Sequence, residues 1–444
     1  MNPVDRLQSR KSVPPSLEKM KHLAKLSEKD AWLLQTQLTP GGSQTLSKLP
    51  NRYIDGVYPK LIERADGCIL ETYDGKSYVD YICSLGPIIL GYNNPSVNSA
   101  VIHAIRNGQV IFSLPSHFEY KLASKLQSII PCADQSRFFK TGSDACAAAV
   151  KVARAFTGKM KVAVCGYHGW HDWYTIANDK KAGIPPILEQ YVQKFKYNDP
   201  QSLEDILKGG DVAAVMLEPT VYEAPREGFL QKVVDIAHQY GALVIFDEVV
   251  TGFRFGLGGA SKYFEVTPDM VTLSKAMANG FPMAAVCGKK EIMDVFNHDD
   301  FFISGTFGGD VVGIEAAYAT INVLQRNHAD FIRHIWTAGE ALRDGFNEAA
   351  AVLELEGVSC IGYPPRTTFQ FPTVAHKALF WQEMAKQNFL VGYANFISAA
   401  HTLGVISKTL PAIELALRVV KSHWNNPEEM LEGPLPVEAL VRVR

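Results

Sequence analysis

The sequence lacks the features that mark several large classes of protein. None of its apolar runs approaches the roughly 20 residues that cross a bilayer, so no membrane-spanning helix is expected. Lys and Arg number 44 against 46 Asp and Glu, and a net charge of -2 predicts no surface for nucleic acid. Residues 1–30 mix basic and acidic side chains without an apolar core, which argues against a signal peptide and disfavours a transit peptide. We expect a cytoplasmic protein without membrane or nucleic-acid partners.

Cysteine is sparse and shows no paired spacing. The 7 cysteines are an odd number, and no two of them form a Cys-x-x-Cys pair. Neither a disulfide framework nor a zinc motif is therefore expected. Most cysteines lie in apolar stretches, as Cys165 does in Val162–Cys165. We interpret them as reduced thiols in the core, with a cysteine nucleophile or a metal site as the less favoured alternative.

Motifs of several enzyme classes are incomplete or missing. Gly75-Lys76-Ser77 resembles the end of a phosphate-binding P-loop, but Leu70 stands where that motif needs glycine. The glycine cluster at 256–259 lacks the dinucleotide-binding fingerprint, and the Gly-x-Ser-x-Gly elbow of serine hydrolases does not occur. His168 and His171 have a spacing that suits a metal but no matching third ligand, so no metal is predicted.

From about residue 95 onward, short apolar strands alternate with amphipathic helices. The predicted strands are 137–140, 162–165, 213–217, 242–246 and 270–273, and the predicted helices include 144–156 and 229–240. A further helix is expected after Ser116, which forms a capping box with Glu119. Residues 60–82 predict a small antiparallel meander. This alternation is typical of an α/β fold with a mostly parallel sheet covered by helices.

Two of the predicted strands deliver reactive side chains at their carboxyl ends, where open α/β sheets bind ligands. One strand is followed by Asp247 and Glu248, and a partly buried carboxylate there must pair with a cation or a protonated ring. The strand 270–273 is followed by Lys275. An apolar setting favours the neutral amine of a lysine, which is the form that makes a Schiff base.

A third segment, Thr141-Gly-Ser-Asp-Ala145, joins a predicted strand to a predicted helix. Its free amides and the helix dipole would bind an anion such as phosphate. Ser143 or Asp144 could instead be only the N-cap of the helix. Together with the carboxylate and the lysine, this segment supplies the groups that pyridoxal 5'-phosphate (PLP) requires.

The sequence resembles the class III, fold-type I PLP-dependent aminotransferases, in the branch of glutamate-1-semialdehyde 2,1-aminomutase. The resemblance covers about residues 38–420 and is carried by the three segments above and by 40–42, 85–91, 167–169, 218–219 and 305–309. It implies a large domain with a mostly parallel, seven-stranded sheet between helices and a smaller α+β domain from both chain ends. We expect an N-terminal arm at 1–38, a small-domain segment at 39–90, the large domain at 91–325 and the C-terminal small domain at 326–444.

The resemblance implies roles for the residues around the cofactor ring. Lys275 is expected to form the Schiff base and to move the proton as general base and acid. Asp247 is expected to hold the pyridine nitrogen protonated, and Tyr167 to stack on the ring face. His168 is a further cofactor-binding candidate, although the resemblance assigns it no particular role.

The same resemblance implies how the phosphate is held. Gly142 and Ser143 are expected to bind it at the helix N-terminus, and Thr306 is expected to reach it from the neighbouring subunit of a homodimer. Glu218 and Glu248 are expected to support the site by hydrogen bonds or to be purely structural.

The resemblance predicts an aminotransferase that cycles its cofactor between PLP and pyridoxamine 5'-phosphate. The expected donor is an amino acid such as glutamate, and the expected acceptor is an aldehyde or ketone of a sugar-like or other secondary-pathway molecule. Lys48 stands where the aminomutase has an arginine for the substrate carboxylate, and Tyr393 stands where it has a glutamate. Arg366 is a second cationic candidate for substrate binding, because guanidinium binds carboxylate bidentately. Lys48 and Arg366 could each equally be an ordinary ion-pair residue.

Two other functions are left open by the sequence. An aminomutase or an amino-acid racemase on the same scaffold would turn over one substrate without an external donor or acceptor. A PLP-binding protein that has lost catalysis is disfavoured because Lys275 and Asp247 are both present.

Overall fold

The structure is a computed structural model that describes residues 26–437, so residues 1–25 of the expected arm lie outside the described residues. The strands are β1 (Ile62–Asp66), β2 (Ile69–Thr72), β3 (Ser77–Asp80), β4 (Gln135–Phe139), β5 (Lys161–Cys165), β6 (Val192–Lys194), β7 (Val212–Leu217), β8 (Leu243–Asp247), β9 (Met270–Leu273), β10 (Ala284–Gly288), β11 (Ser359–Tyr363), β12 (Arg366–Gln370), β13 (Phe389–Leu390) and β14 (Asn395–Phe396). The α-helices are α1 (Glu28–Leu38), α2 (Pro95–Arg106), α3 (His117–Gln127), α4 (Gly142–Thr157), α5 (Asp172–Thr175), α6 (Pro200–Lys208), α7 (Phe229–Gln239), α8 (Gly259–Tyr263), α9 (Lys290–Met293), α10 (Val311–Arg326), α11 (His328–Val352), α12 (Val374–Lys386) and α13 (Leu403–Ser422).

Strands β4 to β10 form one seven-stranded sheet in the order β4-β10-β9-β8-β7-β5-β6. The five strands from β9 to β6 in this order are parallel, and Ile245 of β8 lies opposite Met216 of β7 and Met270 of β9. Strand β10 runs antiparallel to both of its neighbours, β9 and β4. Because parallel strands end at the same edge, the residues that follow β5, β7, β8 and β9 are brought together there.

Helices cover both faces of this sheet, because each strand sends alternate side chains to opposite sides. Val244 and Phe246 of β8 face a core that includes α2, α3, α7 and α10, whereas Ile245 faces the core built on α4. All residues of β7, β8 and β9 are buried. Burial of one such side chain stabilises by about 1.5–3 kcal/mol, so core packing fixes the strand ends that carry the candidate site.

A second hydrophobic core is built from residues near both ends of the described chain. Strands β1, β2 and β3 form an antiparallel meander, and β13 joins β3 in parallel. A three-stranded antiparallel sheet, in the order β11-β12-β14, and helices α11, α12 and α13 complete this part. The arrangement agrees with a small domain of N- and C-terminal segments, while the bounds 39–90, 91–325 and 326–444 stay predictions.

The predicted α/β fold with a mostly parallel sheet is confirmed, as is the meander at 60–82. Each predicted strand and helix is present with small shifts at its ends, and Glu119 accepts a hydrogen bond from the Ser116 amide at 2.9 Å. The sequence patterns did not predict β6 or β10. All seven cysteines are buried and free. Within residues 26–437, no helix has both the length and the apolar character that crossing a membrane requires.

Candidate active site

Asp247 ends β8 and is almost fully buried, with 3% of its surface exposed. Its Oδ2 lies 2.8 Å from His168 Nδ1, and its Oδ1 accepts a hydrogen bond from the Val249 amide at 3.0 Å. Cys146 Sγ also lies 3.5 Å from Oδ2, and burial raises the pKa of this thiol, so that a neutral thiol donates. These neighbours orient the carboxylate without being fixed cations. A buried carboxylate in such surroundings suits a cationic ring nitrogen.

The loop that follows β5 carries Tyr167 and His168. Gly166 and Gly169 flank this pair with φ of 112° and 106°, a conformation that glycine adopts most readily. His168 is buried, and its Nε2 has no hydrogen-bond partner among the described residues. The contact of its Nδ1 with Asp247 indicates that His168 orients this carboxylate, a role that the sequence alone did not assign. Tyr167 is half-buried, and its ring lies edge-on to that of Tyr174 with 5.7 Å between centroids.

Helix α4 begins at Gly142 with Thr141 as its N-cap. Thr141 Oγ1 accepts a hydrogen bond from the Asp144 amide at 3.2 Å, and Asp144 Oδ2 accepts one from the Thr141 amide at 3.0 Å. Thr141 and Asp144 therefore do the capping, and the first-turn amides of Gly142 and Ser143 have no acceptor within a helix. A Cβ on Gly169 would lie 2.5 Å from Ser143 Oγ, so the loop after β5 packs directly on this helix end. The geometry suits a phosphate group.

Lys275 opens a short 3-10 helix, Lys275–Ala278, two residues after the end of β9. Its φ of 42° is left-handed, which is costly for a non-glycine residue and persists where the surroundings fix the backbone. Burial and Asp247 raise the pKa of the Cys146 thiol, and the positive charge of Lys275 opposes them. Because β8 and β9 are parallel neighbours, Lys275 follows β9 at the same edge of the sheet at which Asp247 ends β8 and contacts the thiol.

Glu218 follows β7 and connects two parts of the site. Its Oε1 accepts a hydrogen bond from the Tyr167 amide at 2.9 Å, and its Oε2 lies 3.4 Å from Arg366 Nη1. Arg366 is buried at the start of β12, with its guanidinium 5.1 Å from the Tyr222 ring. Charge-assisted hydrogen bonds are typically about 2.7–2.9 Å long, so the contact with Glu218 is loose. Arg366 Nε has no partner among the described residues.

Glu248 lies next to Asp247 but faces a different part of the fold. Its carboxylate accepts hydrogen bonds from the Ala260 amide at 2.5 Å and the Ser261 amide at 2.8 Å, and from Thr251 Oγ1 at 3.0 Å. Burial raises the pKa of this carboxyl group. Its described contacts hold the start of α8, which supports the structural alternative for Glu248.

Three further candidates lie in other surroundings. The Tyr393 ring packs edge-on against Trp381 in the second core, with 4.8 Å between centroids. Lys48 Nζ donates a hydrogen bond to Ser84 Oγ at 3.1 Å. Thr306 is exposed in the loop before α10. The structure thus groups Lys275, Asp247, Tyr167, His168, Gly142, Ser143, Glu218 and Arg366. Tyr393 is linked to this group through Tyr222, whose hydroxyl donates to the Tyr393 carbonyl at 2.9 Å and whose ring faces Arg366, whereas the described contacts of Lys48 and Thr306 do not include the grouped residues.

Sequence reasoning missed the part that Cys146 plays. It lies three residues after Ser143 on α4, and residues at this spacing share one face of a helix. That spacing was the available signal that the thiol would face the same site. Thr272 Oγ1, on the neighbouring β9, lies 3.4 Å from Asp247 Oδ1 and was likewise missed.

The grouped residues fit PLP. The buried Asp247 carboxylate suits the ring nitrogen, the amides of Gly142 and Ser143 suit the phosphate, and the Lys275 amine suits the aldehyde. The close approach of Gly169 to Ser143 brings the ring-stacking candidate Tyr167 to the phosphate end. In the part of the chain that the structure describes, no three His, Cys, Asp or Glu side chains are grouped as metal ligands.

Comparisons with known proteins agree with this geometry. The family model described as aminotransferase class-III matches residues 54–408. A 3-aminobutyryl-CoA aminotransferase of Cloacimonas acidaminovorans (strain Evry) is 38% identical over 403 residues, which cover 87% of this chain and 95% of the relative. A glutamate-1-semialdehyde 2,1-aminomutase of Methanothrix thermoacetophila is 35% identical over 413 residues, covering 86% and 94% of the two chains. The PLP internal aldimine form of the FumI protein of Sphingopyxis sp. MTA144 superposes with a TM-score of 0.83 at 27% identity, covering 91% of this chain and 99% of that one.

Proposed function

The chain belongs to the class-III aminotransferase family, and from this premise we propose that it moves the amino group of glutamate to the carbonyl carbon of a 3-oxoacyl thioester. It is a PLP-dependent transaminase whose cofactor alternates between PLP and pyridoxamine 5'-phosphate. When bound, PLP supplies an electron-accepting ring that carries the amino group between two substrates. The observation that best supports the chemistry is the grouping of Asp247, His168, Ser143 and Lys275 at one sheet edge.

Each of these side chains has a physical task in the proposal. Asp247, oriented by His168, keeps a proton on the ring nitrogen through its negative charge. Gly142 and Ser143 hold the phosphate by their first-turn amides. Lys275 would hold the cofactor aldehyde through its amine and would serve as general base and acid for proton transfer. Tyr167, anchored at its amide by Glu218, stacks on the ring and excludes water from that face.

Arg366 supports glutamate as the donor. Arg366 is buried, and Glu218 links it to Tyr167. The distance between Arg366 Nη1 and the Glu218 carboxylate is nevertheless 3.4 Å, which is long for an ion pair. A guanidinium has five N–H donors in a fork that matches a carboxylate, so Arg366 has donors left for a substrate. We propose that a carboxylate of glutamate binds here and that Glu218 restrains the arginine when no carboxylate is bound.

The choice of acceptor rests on the relatives. A relative with 38% identity is named for 3-aminobutyryl-CoA, whose amino group stands on the third carbon of an acyl thioester. We therefore propose a 3-oxoacyl thioester as the acceptor class, in place of the sugar-like carbonyl that sequence resemblance predicted. The aminomutase relative at 35% identity keeps a single-substrate isomerisation as the alternative.

We expect the purified, PLP-loaded protein to react with L-glutamate in the absence of any acceptor. The cofactor absorbance should change, and about one equivalent of 2-oxoglutarate per active site should form, because a transaminase completes its first half-reaction alone. Acetoacetyl-CoA added afterwards should restore the starting spectrum. Turnover of glutamate 1-semialdehyde alone, with no 2-oxoglutarate formed from glutamate, would favour the isomerase instead.

The Arg366→Ala variant tests the donor site within the same assay. Charged hydrogen bonds contribute about 1.5–3 kcal/mol, so the KM for glutamate should rise roughly 10- to 100-fold while the spectrum of the resting cofactor stays unchanged. Arg333→Ala removes an exposed arginine that pairs with Asp330 and serves as the control. An unchanged KM for glutamate in Arg366→Ala would remove Arg366 from the donor site.

We also propose that the chain forms a homodimer with Thr306 near the partner's phosphate site. Phe302 and Phe307 beside it are 76% and 62% exposed, and Leu114 is 79% exposed. Large exposed apolar side chains of this kind mark association surfaces. Sedimentation at micromolar concentration should give a dimer, and the double variant Phe302→Ser, Phe307→Ser should shift it toward monomer and weaken PLP retention. A native chain that sediments as a monomer under these conditions would exclude the proposal.

A further inference from the structure

Cys83, Ser84 and Leu85 form an unusual turn that begins three residues after the end of β3. Their φ angles are 48°, 54° and 71°, and Gly86 continues in the left-handed region at 102°. Non-glycine residues visit this region singly, since each visit costs of order 1–3 kcal/mol. Three in succession persist only when the surrounding structure holds them. We call residues 83–86 the left-handed turn.

The amino end of the left-handed turn is held by Asp80, the last residue of β3. The Asp80 carboxylate accepts hydrogen bonds from the Ile82 amide at 2.9 Å and the Cys83 amide at 3.0 Å. Tyr92 Oη donates to the same carboxylate at 2.8 Å. Asp80 is buried, and burial raises its pKa to about 6 against the lowering effect of these hydrogen bonds. One end of the turn is thus fixed to the sheet.

The other end of the left-handed turn is held by Arg254, which is fully buried at 0% exposure. Its Nη2 donates to the Gly86 carbonyl, its Nη1 donates to the Val250 carbonyl at 3.1 Å, and its guanidinium lies 4.9 Å from the Phe396 ring. Burial lowers the pKa of Arg254 to about 10, and the like charge of Arg366 acts in the same direction.

Arg254 has no carboxylate at ion-pair distance among the described residues, and its Nε has no partner there. A buried cation compensated only by carbonyl groups and a ring costs stability compared with an apolar side chain of similar size. Its presence is therefore better explained by what it holds than by stabilisation of the fold.

Hydrogen bonds and apolar packing link the left-handed turn to the segments that follow β8 and β9. The chain that leaves the turn is fixed by Asn279 Oδ1, which accepts from the Ile89 and Leu90 amides at 3.0 and 2.9 Å. Asn279 ends the short helix that Lys275 opens. Val250, which Arg254 also contacts, is three residues after Asp247 and shares an apolar cluster with Cys83. The turn is thus tied to both strand ends that carry the proposed chemistry, and it presents Ser84 to Lys48.

We propose that Arg254 is a positioning residue of the substrate pocket: through the Gly86 carbonyl it holds the left-handed turn and thereby places Ser84 and Leu85 beside the reacting carbon. The inference rests on the proposed transaminase function. Arg254 touches neither cofactor nor substrate in this assignment. Its effect is on substrate binding, since the proposal assigns the turn to the wall of the pocket and not to the proton-transfer groups.

The Arg254→Lys variant tests the proposal in the glutamate and acetoacetyl-CoA half-reactions. A lysine keeps the charge but cannot donate to both carbonyls and stack on Phe396 in the geometry of a planar guanidinium. We expect the KM of the acceptor to rise at least about tenfold with kcat reduced less than about threefold and the resting spectrum unchanged. Arg154→Lys is the matched control, because Arg154 lies on α4 and likewise donates to a backbone carbonyl, that of Met160. A lowered melting temperature with native KM would show a purely structural residue and overturn the proposal.

A second variant covers the case in which Arg254→Lys does not fold. Leu85→Gly removes the conformational cost of the backbone at φ of 71°. Glu354→Gly removes a similar cost at φ of 51° next to the second hydrophobic core and is the control. We expect Leu85→Gly to change the acceptor KM and Glu354→Gly to leave it native, a comparison that needs no Arg254 variant. Where Arg254→Lys folds, we expect it to raise the acceptor KM less in the Leu85→Gly background than in the native one. Additive effects would overturn the proposal, as would equal KM in Leu85→Gly and Glu354→Gly. Failure of native protein to transaminate would instead refute the proposed function.

Discussion

Replacing Lys275 by alanine should abolish turnover while leaving the fold and cofactor binding in place. Lys275 opens the segment after β9 at the same edge as Asp247, and its charge reaches the Cys146 thiol that contacts this carboxylate. Proton transfer by a positioned side chain contributes about 10²–10⁴-fold to a rate, and the variant also loses the amine that bonds to the cofactor. We therefore expect kcat to fall by at least that range.

Cofactor attachment gives a readout that is independent of activity. Treatment of the PLP-loaded native chain with borohydride should leave the cofactor covalently attached, as seen in the intact mass, whereas Lys275→Ala should show no such increase. Lys232→Ala, at an exposed position on α7, is the control and should behave like the native chain. Retained turnover or a retained mass increase in Lys275→Ala would refute the mechanism.

The parts of the fold that the sequence predicted are those with local patterns. Strands β7, β8 and β9 are buried on both faces, and their sequences are therefore short apolar runs. Turn residues mark the ends of these runs. Strand β6 has three residues at the sheet edge, and β10 is made of small residues, so neither shows a strong pattern. The antiparallel direction of β10 depends on pairing with distant β4 and could not be predicted locally.

The candidate site also has parts that local sequence patterns predicted and parts that they did not. Asp247, Lys275 and Ser143 stand at predicted strand or helix ends, so their convergence followed from the predicted parallel sheet. The His168 contact to Asp247 joins residues 79 apart, and the Arg366 contact to Glu218 joins residues 148 apart. Such pairs depend on how loops pack, which no local pattern encodes.

Glu248 shows a signal that was available in the sequence. Consecutive side chains along an extended strand point to opposite faces, so the side chains of Asp247 and Glu248 should have different partners. The structure follows this rule, with Asp247 turned to His168 and Glu248 turned to the start of α8. The expectation that Glu248 supports the site by hydrogen bonds, with a purely structural role as its alternative, did not use this rule.

Asp269 provides a matched comparison for the role proposed for Asp247. Both carboxylates are 3% exposed and both lie 2.8 Å from a histidine nitrogen, His238 Nε2 in the case of Asp269. Asp269 precedes β9 at the opposite edge of the sheet and also binds Lys289 Nζ at 2.6 Å. Burial alone would raise the pKa of Asp269, but the hydrogen bonds from Lys289, the Val244 amide and His238 lower it overall. The ionised form therefore stabilises the fold at neutral pH, and this contribution is lost as the pH falls through its lowered pKa.

Substitution of each carboxylate by asparagine should separate chemistry from stability. Asp247→Asn keeps the shape and can still accept from His168, but it removes the negative charge that holds the ring nitrogen protonated. Electrostatic groups of this kind contribute about 10²–10³-fold, so kcat should fall by that amount with a melting temperature close to the native one. Asp269→Asn should lower the melting temperature at pH 7 and flatten its dependence on acid pH, because the group that titrates is gone, while kcat stays native. A native kcat in Asp247→Asn, or equal losses of kcat in the two variants, would show that Asp247 holds the fold together and does not act on the cofactor.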